Sequence, residues 1–244
     1  MKRLNSTENV VKILFLLRDE NKAMGLTEIT KKTTISKSTV YNILNTLIHY
    51  NLIKKDEDSK KYSLGISILS LSSVVIDSLD IRNISKPYMQ LLAKKTKSTV
   101  TLGIRNDDKF TFIERIDGVR NVRFFCDIGK DVKLFKGAAS KAYFANLPYE
   151  KQLKVYGVDE LDKYIDEIQE IRKIGYSTSN EEVDKGVIAF GAPIFDYKNE
   201  VVSALAIANI VGVLSEDKLK SNIEELIDTA KQISKDLGSD NDLW

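Results

Sequence analysis

The first apolar pattern along the chain has helical spacing. Val10, Ile13, Leu14 and Leu17 recur at intervals of three and four, which lays them on one face of a helix ending near Glu20. Asn5 with Glu8 three residues later has the form of a capping box at its start. After Gly25, Thr27 is placed to accept from the free amides of a short second helix, where Glu28 favours the positive dipole end and Ile29 faces the core. A break at Thr33 to Ile35 leads to Ser36, an N-cap type, and to a third helix striped with Val40, Ile43, Leu44 and Leu47. Leu52 to Lys55 and Lys60 to Leu64 then read as strands joined by the polar turn Asp56 to Ser59. Three helices and a hairpin predict a winged helix-turn-helix over residues 1–66.

The pattern changes after Leu64. Leu64, Ile68, Leu71, Val75 and Leu79 recur at intervals of four, three, four and four, close to the spacing of a short coiled-coil seam. A linker helix over 67–80 therefore pairs with its twin in a second copy or packs on its own chain, and the spacing allows both. Beyond Pro87 a helix to about Thr96 precedes alternation at Val100, Leu102 and Ile104, a half-buried strand within Thr99–Arg105. Phe110 to Ile116 and Val122 to Phe125 read as further strands. Helices are predicted near Ser140–Leu147, Tyr149–Tyr156 and Glu160–Lys173. A strand pair follows at Phe190–Phe195 and Val201–Ile207, and Ser215 opens a last helix burying Leu219, Ile223, Leu226, Ala230, Ile233 and Leu237. This order predicts an α+β domain with a central antiparallel sheet over residues 81–244.

Charge sharpens the division. Residues 1–66 hold twelve Lys or Arg against seven Asp or Glu, and the remainder holds 25 against 28. A basic module precedes a mildly acidic one. On the third helix the face opposite the apolar stripe carries Lys37, Ser38, Thr39, Tyr41, Asn42, Asn45 and Thr46, with no acidic residue. Phosphate is not repelled there, and amides and hydroxyls read base edges in the major groove. Ser36, Lys37, Ser38, Thr39, Tyr41, Asn42 and Asn45 are thus candidate contacts to double-stranded operator DNA. Lys54, Lys55, Lys60 and Lys61 on the wing arms are candidate contacts to its backbone.

An enzymatic reading finds little material. The chain has one histidine, His49, and one cysteine, Cys126, in different modules, too few for a His/Cys metal site, and no cofactor is expected. His49 at the end of the third helix reads as a cap or a solvent-facing residue, and Cys126 as core. Gly-rich phosphate loops of the Walker or dinucleotide type are missing from the sequence. The alternatives are a helix-turn-helix fused to an enzymatic C-terminal domain, and a winged helix used only for protein contacts. The longest uncharged stretch, Tyr62 to Ile76, is 15 residues with five serines, short of a bilayer span. With its single cysteine and no signal-type start, the chain reads as a cytoplasmic protein.

Three segments of the first module, Gly25-Leu-Thr-Glu-Ile29, Ser36-Lys-Ser-Thr-Val-Tyr-Asn-Ile-Leu-Asn-Thr-Leu47 and Tyr62-Ser-Leu-Gly65, resemble the isocitrate-lyase-regulator (IclR) family of transcription regulators. So do Gly137-Ala-Ala-Ser-Lys141-Ala, Gly175-Tyr176, Glu181 through Asp196, and Val201 through Ile207. The likeness spans nearly the whole chain and implies a GAF-like effector domain, dimers or dimers of dimers, and operator binding controlled by a small molecule. It departs at Thr34, where many members have Gly, and at Asn42, where many have Arg, implying a different operator sequence. Carried over by position, the resemblance places an effector pocket at Ala138, Ala139, Ser179, Ala189, Ala206 and Ala208. Members that take small carboxylates place an acid, a thiol or hydroxyls at the last four of these, where this sequence offers only Ser179. A bulkier, less polar effector is therefore expected, one whose anionic group meets the amides at Ala138 and Ala139. A filled core with no ligand is the other reading.

Overall fold

The computed structural model describes residues 4–77, 80–118 and 127–240, leaving aside the side chains of 75–77. The chain divides into two compact units, residues 1–78 and 79–244, each built around its own core.

In the first unit α1 (Asn5–Glu20), α2 (Leu26–Thr33) and α3 (Lys37–His49) are followed by a hairpin of β1 (Ile53–Lys55) and β2 (Tyr62–Leu64). Ile13, Leu17, Met24, Ile29, Val40, Leu44 and Ile53 fill the core these elements share. Met24 and Tyr62 exchange backbone hydrogen bonds of 2.9 and 2.8 Å, tying the wing to the turn between α1 and α2. Gly65 closes the wing under close approach, because a Cβ there would lie 2.1 Å from the Asn51 carbonyl oxygen. Helix α4 (Ser67–Asp77) follows.

The caps of these helices differ in part from expectation. Ser36 does cap α3, accepting the Thr39 amide at 3.3 Å. At α1, however, Leu4 is the capping position and Asn5 is already helical, so no capping box forms; Glu8 pairs instead with Lys12 at 3.1 Å. Gly25 occupies the cap position of α2, leaving Thr27 two residues too far in to cap it. The turn between α2 and α3 passes through Thr34 at φ +57°, a left-handed backbone that strains a β-branched residue.

The second unit begins with α5 (Asp80–Thr96), which runs through Pro87 rather than starting beyond it. Pro87 removes the bond to the Asn83 carbonyl, and both residues are exposed, on the side of the helix away from its buried Ser85, Met89 and Leu92. Strands β3 (Thr99–Asn106), β4 (Lys109–Ile116), β5 (Asp131–Lys133), β6 (Ser177–Asn180), β7 (Val187–Phe195) and β8 (Val201–Ile210) form one antiparallel sheet in the order β5-β4-β3-β8-β7-β6. The strand expected at 122–125, and Cys126, lie outside the described residues.

One face of the sheet packs on α5 and α10 (Glu216–Asp236) through Leu92, Val100, Leu102, Phe190, Leu205, Leu226 and Ile233. The other carries α6 (Ala138–Ala145), α7 (Tyr149–Tyr156), α8 (Val158–Leu161) and α9 (Ile165–Ile174) over Phe110, Phe112, Ala204 and Ala206. The helix expected over 160–173 is broken by a single 3-10 turn at Asp162–Tyr164, where Tyr164 stacks on Phe135 and Tyr156 at 4.9 and 5.5 Å. Helices on both faces of an antiparallel sheet give the α+β, GAF-like architecture.

Candidate functional site

Two surfaces concentrate the residues singled out in the sequence. On α3 the buried stripe of Val40, Leu44 and Leu47 turns the opposite face outward. Ser36, Lys37, Ser38, Tyr41, Asn42, Asn45 and Thr46 are exposed there, with Thr39 half-buried. This is the arrangement a major-groove helix requires: an amphipathic helix fixed by its apolar side, with hydrogen-bonding groups of no negative charge on the other. On the wing Lys54, Lys60 and Lys61 are exposed and Lys55 is half-buried. The acidic tip engages part of this charge. Glu57 pairs with Lys60 at 3.1 Å, which together with Lys55 holds its carboxyl below the usual range. Asp56 turns back on the Ser59 amide and hydroxyl at 2.8 and 2.7 Å.

The second surface is a recess in the other unit, with about 460 Å³ of empty space when its open mouth is included. Its floor follows from sheet register. Across β8, β7 and β6, Ala208 stands opposite Ala189 and Ala189 opposite Ser179. In the next row Thr101 stands opposite Ala206, and Ala206 opposite Gly191. Alternation puts these side chains on the α6 face. Gly191 lets that helix descend onto the sheet, since a Cβ there would meet the Ala138 carbonyl carbon and oxygen at 2.5 Å. Ser177 secures the contact by donating to the Ala138 oxygen at 2.6 Å.

All six residues that the resemblance assigned to a pocket, Ala138, Ala139, Ser179, Ala189, Ala206 and Ala208, line this one recess. Thr101, Phe112, Gly137, Val183, Asp184 and Val187 complete its wall. The sequence reading missed these six. Thr101 was detectable by counting two-residue alternation along β3, but Phe112 and the 183–187 loop are brought in by strand order alone.

Helix α6 is buried along its entire length. Such a helix must find partners for both ends inside the protein. At its C-terminal end Arg172 donates to the Ala145 and Leu147 carbonyls at 2.6 and 2.9 Å, and Gln152 to the Phe144 carbonyl at 2.8 Å. Burial pushes the Arg172 pKa down. Lys141, one turn into the helix, donates to Glu167 at 2.7 Å and also to Glu182. Burial alone would lower the Lys141 pKa, but the two carboxylates outweigh it and raise the pKa above its ordinary value. Among the described residues no three His, Cys, Asp or Glu side chains gather as a metal-binding group, and no helix is long and apolar enough to cross a membrane.

The comparisons with known proteins match both units of the chain to one family. Residues 73–235 match the family model described as bacterial transcriptional regulator IclR C-terminal, and residues 6–57 match the IclR helix-turn-helix domain. The HTH-type transcriptional regulator KipR of Bacillus subtilis is 30% identical over 96% of this chain and 98% of its own length. KdgR of Escherichia coli is 26% identical over 97% and 95%. Among solved structures, the Thermotoga maritima IclR superposes with a TM-score of 0.77 at 23% identity, covering 97% of this chain and all of its own. The chain belongs to the IclR family of bacterial transcription regulators, with a helix-turn-helix DNA-binding domain ahead of a C-terminal effector-binding domain.

Proposed function

We propose that this cytoplasmic regulator grips an inverted-repeat operator as a homodimer or dimer of dimers, and that a small molecule in the α6 recess sets its affinity. The observation that carries the DNA half is the exposed, acid-free face of α3 flanked by wing lysines. Ser36, Lys37 and Ser38 at the helix start face phosphate, Asn42 and Asn45 read base edges, and Lys54, Lys55, Lys60 and Lys61 position the wing on the backbone. One winged helix covers too little DNA for strong specificity, and two half-sites multiply it.

Helix α4 supports the pairing. Ile66, just ahead of it, and Leu69, Leu71 and Val74 within it are 74, 62, 60 and 71% exposed, a larger apolar display than a single copy ordinarily leaves in water. Ile68, another position of the expected seam, is half-buried on its own chain, while Leu79 and the Val75 side chain lie outside the described residues. The recess supports the effector half, since short side chains leave space beneath a helix start. Footprinting of the full chain on its upstream DNA, with and without metabolites extracted from the native protein, tests the reading. Protection unchanged after Asn42 and Asn45 are both replaced by Ala would overturn the assignment of α3.

A further inference from the structure

We infer that His49, the single histidine of the chain, is a further DNA contact: its imidazole ends the reading face of α3 and takes a backbone phosphate when protonated, so that operator binding draws in a proton. This rests on α3 being the helix that enters the major groove. At 3.6 residues per turn, Ser38, Asn42, Asn45 and His49 fall within about 60° of one another, opposite the buried Val40, Leu44 and Leu47. All four are exposed. The ring does not cap the helix, since Tyr50 fills the cap position and no hydrogen bond joins either ring nitrogen to a described residue.

Length gives the ridge its two ends. Ser38 and His49 are 11 positions apart, about 16 Å along a helix rising 1.5 Å per residue, whereas the major groove is about 12 Å wide. With Asn42 and Asn45 over base edges, the ends of the ridge therefore reach the phosphates on either side. Ser36, Lys37 and Ser38 serve one end, and His49 serves the other. The turn beneath His49 is closed by Leu52 N–H on the Leu47 carbonyl at 2.9 Å, Gly65 N–H on the Leu52 carbonyl at 2.8 Å and Ser67 N–H on the Asn51 carbonyl at 3.2 Å. Its ring stands at 83° to that of Tyr50, with centroids 5.0 Å apart. A contact carried on so fixed a turn loses little freedom on binding.

Among the described residues no carboxylate is bonded to that ring. Besides His49, α3 carries only Lys37 as a charged group, and the elements packed against it, α2 and β1, carry Glu28, Lys31, Lys32, Lys54 and Lys55. Glu28 is paired with Lys22 at 3.2 Å. On the wing, Asp56 is turned onto Ser59 and Glu57 onto Lys60, and Asp58 stands at the tip. A phosphate is then the first anion to meet an imidazolium at this position. Imidazole is the side chain that gains its charge between pH 5 and 8, and a nearby opposite charge favours the charged form. Affinity for DNA therefore rises as the pH falls through that range.

Fluorescence anisotropy of the full chain on its footprinted operator duplex, from pH 8.5 to pH 6 at constant ionic strength, tests this. Affinity should rise about fivefold per chain across that range, and the slope of log affinity against log salt should steepen by roughly 0.9 per chain. His49→Gln, which keeps a hydrogen-bonding side chain but does not titrate, should flatten the pH profile and hold the salt slope constant. His49→Arg, charged at every pH, should bind at pH 8.5 about as tightly as the unaltered protein does at pH 6. With one histidine in the chain, a rise that survives in His49→Gln belongs to another group and overturns the inference, as does a flat profile in the unaltered protein. Asn42→Ala with Asn45→Ala separates the two readings. Operator preference lost in that variant beside a flat profile removes His49 alone, whereas preference retained in it sinks α3 as the reading helix.

Discussion

Glu182 reaches from the loop between β6 and β7 to accept the Gly137 N–H at 3.3 Å, while its other oxygen takes the Lys141 ammonium. Among the described residues this carboxylate is the one polar tether from the loop tip, residues 182–185, to α6; other loop bonds run within the loop, such as Glu181 N–H to the Val187 carbonyl at 2.8 Å, or from Val211 N–H to the Gly186 carbonyl at 3.0 Å. Val183 and Asp184, in the outer wall of the recess, are carried by that tip. Replacing Glu182 with Ala should raise hydrogen exchange at 182–185 severalfold while leaving α10 unchanged. Exchange unaltered at the loop would mean that Val183 packing, not the carboxylate, holds it.

Lys141 links the same tether to Glu167. Its pKa is raised on folding, so its contribution to stability is complete below the ordinary value of 10.5 and is lost only as pH rises through the higher folded value. Unfolding midpoints should therefore show no Lys141-dependent change between pH 6 and 9. Lys141→Met, which leaves the half-buried Glu182 and the exposed Glu167 unpaired, should cost about 1 to 3 kcal/mol, less than a fully buried pair. Denaturant titration of both proteins at about pH 7 and about pH 11.5 checks the sign, because the gap should shrink only above pH 10.5.

Thr34 offers a gain. A β-branched residue at φ +57° costs about 1 to 3 kcal/mol, of which glycine, with its larger unfolded-state entropy, recovers a part. Thr34→Gly should stabilise the DNA-binding domain by about 1 kcal/mol without altering operator preference. A lower melting temperature would show that the exposed Thr34 hydroxyl, which donates to the Thr33 carbonyl at 2.6 Å, matters more than backbone strain.

The wing lysines should not act equally. Lys60 is engaged by Glu57, whereas no ion pair joins Lys54 or Lys61 to a described residue. Lys54→Ala or Lys61→Ala should each flatten the dependence of log affinity on log salt by roughly 0.9 for every phosphate no longer neutralised, and Lys60→Ala by less. Fluorescence anisotropy on an operator duplex across a salt series measures the slopes.

Oligomerisation should depend on α4. Leu71→Lys with Val74→Lys places charge on the exposed apolar side of that helix and should shift sedimentation to smaller species and weaken operator binding together. Unchanged mass would remove α4 from the interface.

Much of this was legible in the sequence where one face of an element is buried and the other is not. The stripe of Val40, Leu44 and Leu47 fixed both the core side and the DNA side of α3, because a helix with one wet face must repeat at 3.6 residues. Strand β5, three residues long, is too short to show alternation, and β6 reads Ser-Thr-Ser-Asn because its neighbours are small enough to need no bulk. Pro87 misplaced a helix start, since a proline inside a helix removes one hydrogen bond and can kink the helix without ending it. The pocket positions came from family resemblance. No periodicity in the sequence distinguishes an alanine that leaves room from one that packs. How the two ends of α6 are closed was beyond any one-dimensional reading, because the partners Glu182, Arg172 and Gln152 arrive from 7 to 45 residues away.

The alanine floor has an evolutionary consequence. Sheet register here is fixed by backbone hydrogen bonds and by the opposite face, where Leu205, Ile207 and Phe190 pack, so the small side chains at 189, 206 and 208 do not set it, although Ala189 and Ala206 also touch the core under α6. An alanine codon turns into serine, threonine or valine through one base change. Such a step adds a hydroxyl, a hydroxyl with a methyl, or two methyls to the floor and leaves the backbone hydrogen bonds of the sheet as they are. The recess can thus drift from one effector to another while the DNA-binding domain, with its separate core, continues to recognise the same operator.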